Sequence, residues 1–300
     1  METIDELTAF LTTATVDGIL GRLLYRGAAW SLMRAEGKLP PNAPPLGGAI
    51  DTDLAEHGFA LLRGAMALRA QAGASELTSK AFERAANAFE ALVRNADPEA
   101  PDRGFRRTIA ACAYHLAGFS AVAYSLFNET AGDLNTSPGE KAIRHLILRD
   151  LDQLRGFVRG WLDDEAHGDE QIAQALRGEE PDVDEVLSTI LNTTICRALL
   201  FFDFALETGE YQPIESARAL LATAVSLADN AGNVPLWWIS NLCRHLIDDL
   251  WQHSLHQNLP TEPPKGTEET YPDLRRLFIS SLYARKTSEV ELWPSQREAA

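Results

Sequence analysis

The chain has very little cysteine. Its three thiols, Cys112, Cys196 and Cys243, are far apart and each stands among apolar neighbours. An odd, scattered set excludes a disulfide framework and a zinc ribbon, both of which need clustered, paired spacing. Small buried hydrophobes in a reducing, cytoplasmic compartment are the expectation. Basic residues are also scarce, with 27 Lys and Arg against 43 Asp and Glu and a formal net charge of −16. That balance argues against a broad nucleic-acid surface, which needs clustered cations to neutralise phosphates. The N-terminus, "METIDELTAF", lacks the basic stretch and apolar run of a secretory signal. Alternating runs of Val, Ile, Thr and aromatic residues are almost missing, so little strand is expected.

What remains is apolar residues at three- and four-residue spacing, and hydrophobic residues make up 45% of the chain, enough to bury a core. The fold expected is all-α, an irregular helical array or α-solenoid built from helical hairpins. In "KAIRHLILRDLDQLRGFVRGWL" the residues Ile143, Ile147, Leu151, Leu154, Val158 and Trp161 form one stripe. Arg144, Asp152, Arg155 and Arg159 turn away from it, and a single helix is predicted there. "SKAFERAANAFEALVRN" and "ESARALLATAVSLADNAGNVP" combine Ala with large apolar residues and then a turn. They resemble the second helix of tetratricopeptide-type hairpins, although no fixed period and no repeated Gly-Tyr signature accompany them. The uncharged stretch Ile109–Phe127 is close to the length of a membrane span. It is rich in Ala, Ser and Gly, and a buried core helix is predicted, with no membrane partner.

Breaks divide the chain. "GKLPPNAPPLGGAI", residues 37–50, carries four prolines and three glycines and is read as a loop between N-terminal helices at 1–36 and a helical body at 51–257. "NLPTEPPKGTEETYPD", residues 258–273, carries four prolines and one glycine and is read as a linker. Residues 274–300 follow as one more amphipathic helix and a tail, which either folds back on the helical body or is the first piece of a further domain.

Several clusters can carry chemistry. Arg144, Arg149, Arg155 and Arg159, with Arg103, Arg106 and Arg107 of "DRGFRR", are the best candidates for a local basic groove on nucleic acid. His245, Asp249 and His253, with His256 one turn further along a continuous helix, form a row of ligand types. Such a row spreads over about 12 Å, too far for one metal to use three of them, and a His245–Asp249 surface pair is expected. The acidic segments "WLDDEAHGDE" and "RGEEPDVDE" lack calcium-loop spacing and read as solvated turns. Trp237 and Trp238 read as packing aromatics.

The last ten residues, "ELWPSQREAA", hold the most specific pattern. Leu292, Trp293, Pro294, Gln296, Glu298 and Ala299 fit hydrophobic–aromatic–Pro–x–Gln–x–Glu–Ala. This resembles the adenine-recognition element of superfamily 2 helicases, the Ski2-like and related DExH group. A side-chain amide can accept from the N6 amine and donate to N7 of adenine in one bidentate contact. The resemblance implies that Gln296 reads adenine, that Leu292, Trp293 and Pro294 position it, and that an apolar side chain packs on the base. It spans about ten residues, and the 300 contain no G-x-x-x-x-G-K-[ST] loop to cradle phosphates. The resemblance therefore implies the N-terminal helical accessory region of a longer ATP- and Mg²⁺-dependent helicase, cut just after this element. The parent protein would engage nucleic acid through its motor core, and the helical region would hold a partner protein. Some bacterial antiphage systems use motors built this way, so antiviral defence is an implied setting. The alternative from the residues alone is a non-enzymatic α-helical scaffold that binds protein.

Overall fold

The computed structural model describes residues 2–16, 18–42, 49–97, 99–128, 136–177, 182–263, 265–266, 269–285 and 290–291. Helix accounts for 79% of them, in fourteen α-helices and one short 3-10 turn, and there is no strand among the described residues. The chain divides into two compact units, 1–136 and 137–300. The proline-rich stretch 258–273 thus lies inside the second unit.

The first unit contains α1 (Ile4–Ala14), α2 (Ile19–Ala35), α3 (Ile50–Ala72), α4 (Glu76–Asn95), α5 (Arg103–Leu116) and α6 (Ser120–Asn128). Polar side chains set the starts. Thr3 and Glu6 form a capping box on α1, with Thr3 N–H donating to Glu6 Oε2 at 2.8 Å, and Ser75 with Thr78 does the same on α4. Such reciprocal bonds satisfy amides that a helix start otherwise leaves open. Short turns make sequence neighbours spatial neighbours, so α3 packs on α4 and α4 on α5. Small residues let them approach closely. Ala81, Ala85, Ala86 and Ala88 of α4 are fully buried. A methyl group added at Gly58 of α3 would stand 2.8 Å from the Phe89 ring of α4, so only glycine fits there.

The second unit contains α7 (Pro138–Ile147), α8 (Leu151–Asp163), a 3-10 turn (Glu165–His167), α9 (Asp169–Leu176), α10 (Val183–Thr208), α11 (Gln212–Asn230), α12 (Val234–Gln252), α13 (Leu255–Asn258) and α14 (Tyr271–Tyr283). The helix α10 packs against α11, α8, α7, α12 and α14 and forms the unit's centre. It is the one described helix long and apolar enough to cross a membrane by length and composition. Yet 61% of its most apolar window is buried inside the protein, as expected of a core helix. Gly209 ends it in a left-handed conformation, φ 78°, the usual helix stop. The ring of His256, on α13, fills the space above that glycine and hydrogen-bonds the Leu206 carbonyl through Nε2 at 2.7 Å.

Two predicted helices are each broken in two. The stretch 143–161 is α7 and α8 rather than one helix, because Arg149 adopts φ 59°. Asp150 N–H then reaches back to the His145 carbonyl at 3.0 Å and Arg149 N–H to that of Leu146 at 3.0 Å, closing a Schellman motif. Asp150 caps the next helix by accepting from Gln153 N–H at 3.1 Å. The apolar stripe survives the break, since Ile143, Ile147, Leu151, Leu154 and Val158 are all buried. The stretch 109–127 is α5 and α6, separated at Gly118 with φ 91°. Its first half is buried throughout, whereas α6 keeps Ala121 and Val122 exposed.

Candidate functional site

Leu292, Trp293, Pro294 and Gln296 lie outside the described residues. The two residues immediately before them, Val290 and Glu291, are described, and both are buried in the second unit, 1% and 4% exposed. Glu291 forms an isolated antiparallel bridge with Ser254, in the turn between α12 and α13, and Ser254 is itself fully buried. The Glu291 carboxylate accepts from Arg149 Nη2 at 2.7 Å. Both side chains are largely withdrawn from water, with 12% of Arg149 and 4% of Glu291 exposed, so the attraction is little screened.

The geometry of Arg149 follows from the chain around it. A non-glycine residue in the left-handed region costs roughly 1–2 kcal/mol. That conformation turns the chain out of α7 and sets the Arg149 side chain against residue 291, which is 142 positions away in sequence. Strain of this kind persists where surrounding contacts over-determine it. Here those contacts are the two helix-ending hydrogen bonds and the charge-assisted bond to Glu291. The chain entering the Leu292–Ala299 pattern is thereby fixed to the second unit.

The other predicted arginines have separate settings. Arg155 Nε donates to Asp203 Oδ2 at 2.6 Å, and Arg155 also meets Asp152 at 3.3 Å. Burial pushes the Asp203 carboxyl up from its ordinary range, and the Arg155 guanidinium pulls it part of the way back. Arg159 is exposed on α8, and Arg144 is half-buried on α7. In the first unit Arg106 pairs with Asp102 at 2.6 Å, and the buried Arg107 donates to the Leu126 carbonyl at 3.1 Å.

The histidine row is not continuous. The helix α12 stops at Gln252, so His256 falls on α13 and is held against α10. Burial lowers its basicity. Asp249 meets His253 Nδ1 at 3.2 Å. Trp238 is buried and Trp237 half-exposed, their rings perpendicular at 4.8 Å. In the acidic turn after α8, His167 stacks on Trp161 at 3.5 Å and contacts its carbonyl at 2.9 Å. Asp164 caps the 3-10 turn, and Asp182 caps α10. These carboxylates start helices. The three cysteines are free and buried, and desolvation pushes the Cys112 and Cys196 thiols up to about 12, which leaves them inert as nucleophiles at neutral pH.

The Arg149–Glu291 contact escaped sequence reasoning because its partners are distant and neither neighbourhood signals a pair. Only the Arg-Asp dipeptide inside an apolar stripe hinted at a break. Compared with known proteins, the chain matches no family model and no curated protein.

Proposed function

We propose that this chain is the helical accessory region of an ATP-driven nucleic-acid motor of the DExH class, and that Glu291, held in its second unit, leads into the adenine-recognition segment. The observation that carries the reading is the anchor at residue 291. Arg149, in a strained conformation, grips Glu291 one residue before a pattern that resembles an adenine reader. In this reading Gln296 contacts adenine, and Leu292, Trp293 and Pro294 set its approach. ATP and Mg²⁺ would be handled by a phosphate loop and an acidic motif that these 300 residues do not contain. Nucleic acid would meet the motor core, and a partner protein the helices. A cytoplasmic setting accords with three free, buried thiols. A role in antiphage defence belongs to the same proposal.

The test is the reading frame beyond codon 300. A glycine-rich loop ending in Gly-Lys-Thr or Gly-Lys-Ser is expected within about 40 residues. A stop codon before such a loop overturns the motor reading. A second reading, a non-enzymatic α-helical protein-binding scaffold, draws on a different observation, the exposed aromatic side chains of α10.

A further inference from the structure

The helix α2, in the first unit, packs on α3 and α4 and buries Leu20, Leu23 and Gly27. Its opposite face is bare. Tyr25 is 77% exposed, Leu32 60% and Met33 38%. Arg22 and Arg26 are exposed as well. At 3.6 residues per turn these five side chains fall within about 120° of one another around the helix. One surface thus carries two cations, an aromatic ring and two flexible or branched apolar side chains.

The charges on this surface are unusual for the chain. Residues 18–35 hold three arginines and no Asp or Glu, in a protein with 43 acidic residues against 27 basic ones. Elsewhere arginines find carboxylates, as Arg106 does with Asp102, Arg155 with Asp203 and Arg218 with Asp248. Among the described residues no ion pair, hydrogen bond or ring contact engages Arg22, Arg26 or Arg34. Arg22 and Arg26 are four apart on one helix, a spacing at which like charges repel. Carboxylates set against them would remove that repulsion and gain charge-assisted hydrogen bonds.

The spacing says what fits. The two arginines are about 6 Å apart along the helix axis, and Leu32 and Met33 follow about 13 Å further on. An acidic amphipathic helix presents both features on one face, with carboxylates one turn apart and large apolar side chains two turns beyond them. A nucleic-acid backbone or an anionic bilayer suits the surface less well. Three guanidiniums neutralise few phosphates, and a net charge of −16 repels a polyanion at long range.

We infer that the exposed face of α2 docks an acidic amphipathic helix of a partner protein. Its carboxylates meet Arg22 and Arg26, and its apolar side chains pack on Tyr25, Leu32 and Met33. This deepens the partner-protein part of the reading above and rests on it only there, since the segment after residue 291 plays no role.

The experiment pans a phage-displayed library of helical peptides against the whole chain and measures the selected peptides by fluorescence polarisation. Enriched peptides are expected to carry Asp or Glu one turn apart, followed two turns on by large apolar residues. Their binding should weaken as salt rises. Arg26→Glu should weaken it roughly tenfold or more and Leu32→Ser by a similar factor, whereas Arg26→Lys should retain most of it. A library panned on Arg26→Glu should favour lysine where the wild type favours acid. Circular dichroism checks that these variants, altered only at exposed positions, keep the helical content. Glu291→Gln should leave peptide binding unchanged, so a failure of the adenine segment and a failure of this surface give different results. Enrichment of no peptide that distinguishes wild type from Arg26→Glu overturns the inference. So does a labelled oligothymidine or a phosphatidylserine vesicle whose binding is lost in that variant, or self-association of the chain that Leu32→Ser abolishes.

Discussion

Replacing Arg149 by Ala separates the anchor from the rest of the fold. The change removes the guanidinium 2.7 Å from Glu291, whose side chain is 4% exposed. Depriving a buried carboxylate of its arginine costs about 3–5 kcal/mol when the structure cannot relax. Here it can relax, because residues 290–291 can leave the surface and hydrate the carboxylate. That escape exposes Val290, worth about 2 kcal/mol of burial, and breaks one bridge to Ser254, worth about 1 kcal/mol. Local release therefore costs at least about 3 kcal/mol, since Glu291 has a further interaction besides its bond to Arg149. Hydrogen exchange followed by mass spectrometry reads this directly. The peptide covering 290–291 should exchange roughly a hundredfold faster in Arg149→Ala, while peptides from α11 and α12 should change little. Arg149→Gly should release the segment equally but recover about 1 kcal/mol of global stability, because glycine accepts φ 59° without strain. Unchanged exchange at 290–291 in Arg149→Ala would refute the anchor. So would an Arg149→Gly variant that keeps the segment protected.

Two further perturbations test the packing. Gly209→Ala places a methyl group 2.7 Å from His256 Nδ1 in a left-handed backbone. The backbone costs roughly 1–2 kcal/mol, and displacing the ring from the Leu206 carbonyl costs about 1 kcal/mol more. A thermal melt should fall by about 5–10 °C, and an unchanged melt would contradict the contact. Acid is the second perturbation. Burial lowers the basicity of His57, His145 and His256 below the ordinary value of 6.5. The unfolded chain then binds protons that the folded chain does not. Stability should be fully present above about pH 6.5 and be lost as pH falls from there toward the folded values. Asp203, whose carboxyl burial raises, acts with the opposite sign. Denaturant melts between pH 7.5 and 5.5 should therefore show a falling midpoint. A midpoint that rises would show that these rings are protonated in the folded protein.

The sequence made the helices legible where side-chain pattern and punctuation agree. The stripe from Ile143 to Val158 is buried as its spacing predicts. What it hid was decided over distance or by backbone conformation. Arg149 breaks a helix without glycine or proline, because the Schellman bonds and Glu291 outweigh a modest conformational cost. The Arg155–Asp203 pair joins positions 48 apart, and it turns one predicted basic side chain toward a carboxylate of the same unit. His256 stands on α13 rather than in a continuous row with His245, and the break after Gln252 carries no strong punctuation. Its place above Gly209 depends on a glycine about fifty positions earlier. The adenine-like pattern is legible in spacing alone, and only its attachment point is structural.

The central claim is that the segment after residue 291 reads adenine for an ATP-driven motor. The most direct measurement is nucleotide hydrolysis by the product of the whole gene, with ATP and GTP compared in the presence of nucleic acid. The account predicts nucleic-acid-stimulated hydrolysis that prefers ATP. In Gln296→Ala that preference should fall by roughly tenfold or more while the helical fold is unchanged. Hydrolysis with no preference for ATP, a preference untouched by Gln296→Ala, or no hydrolysis at all would contradict it.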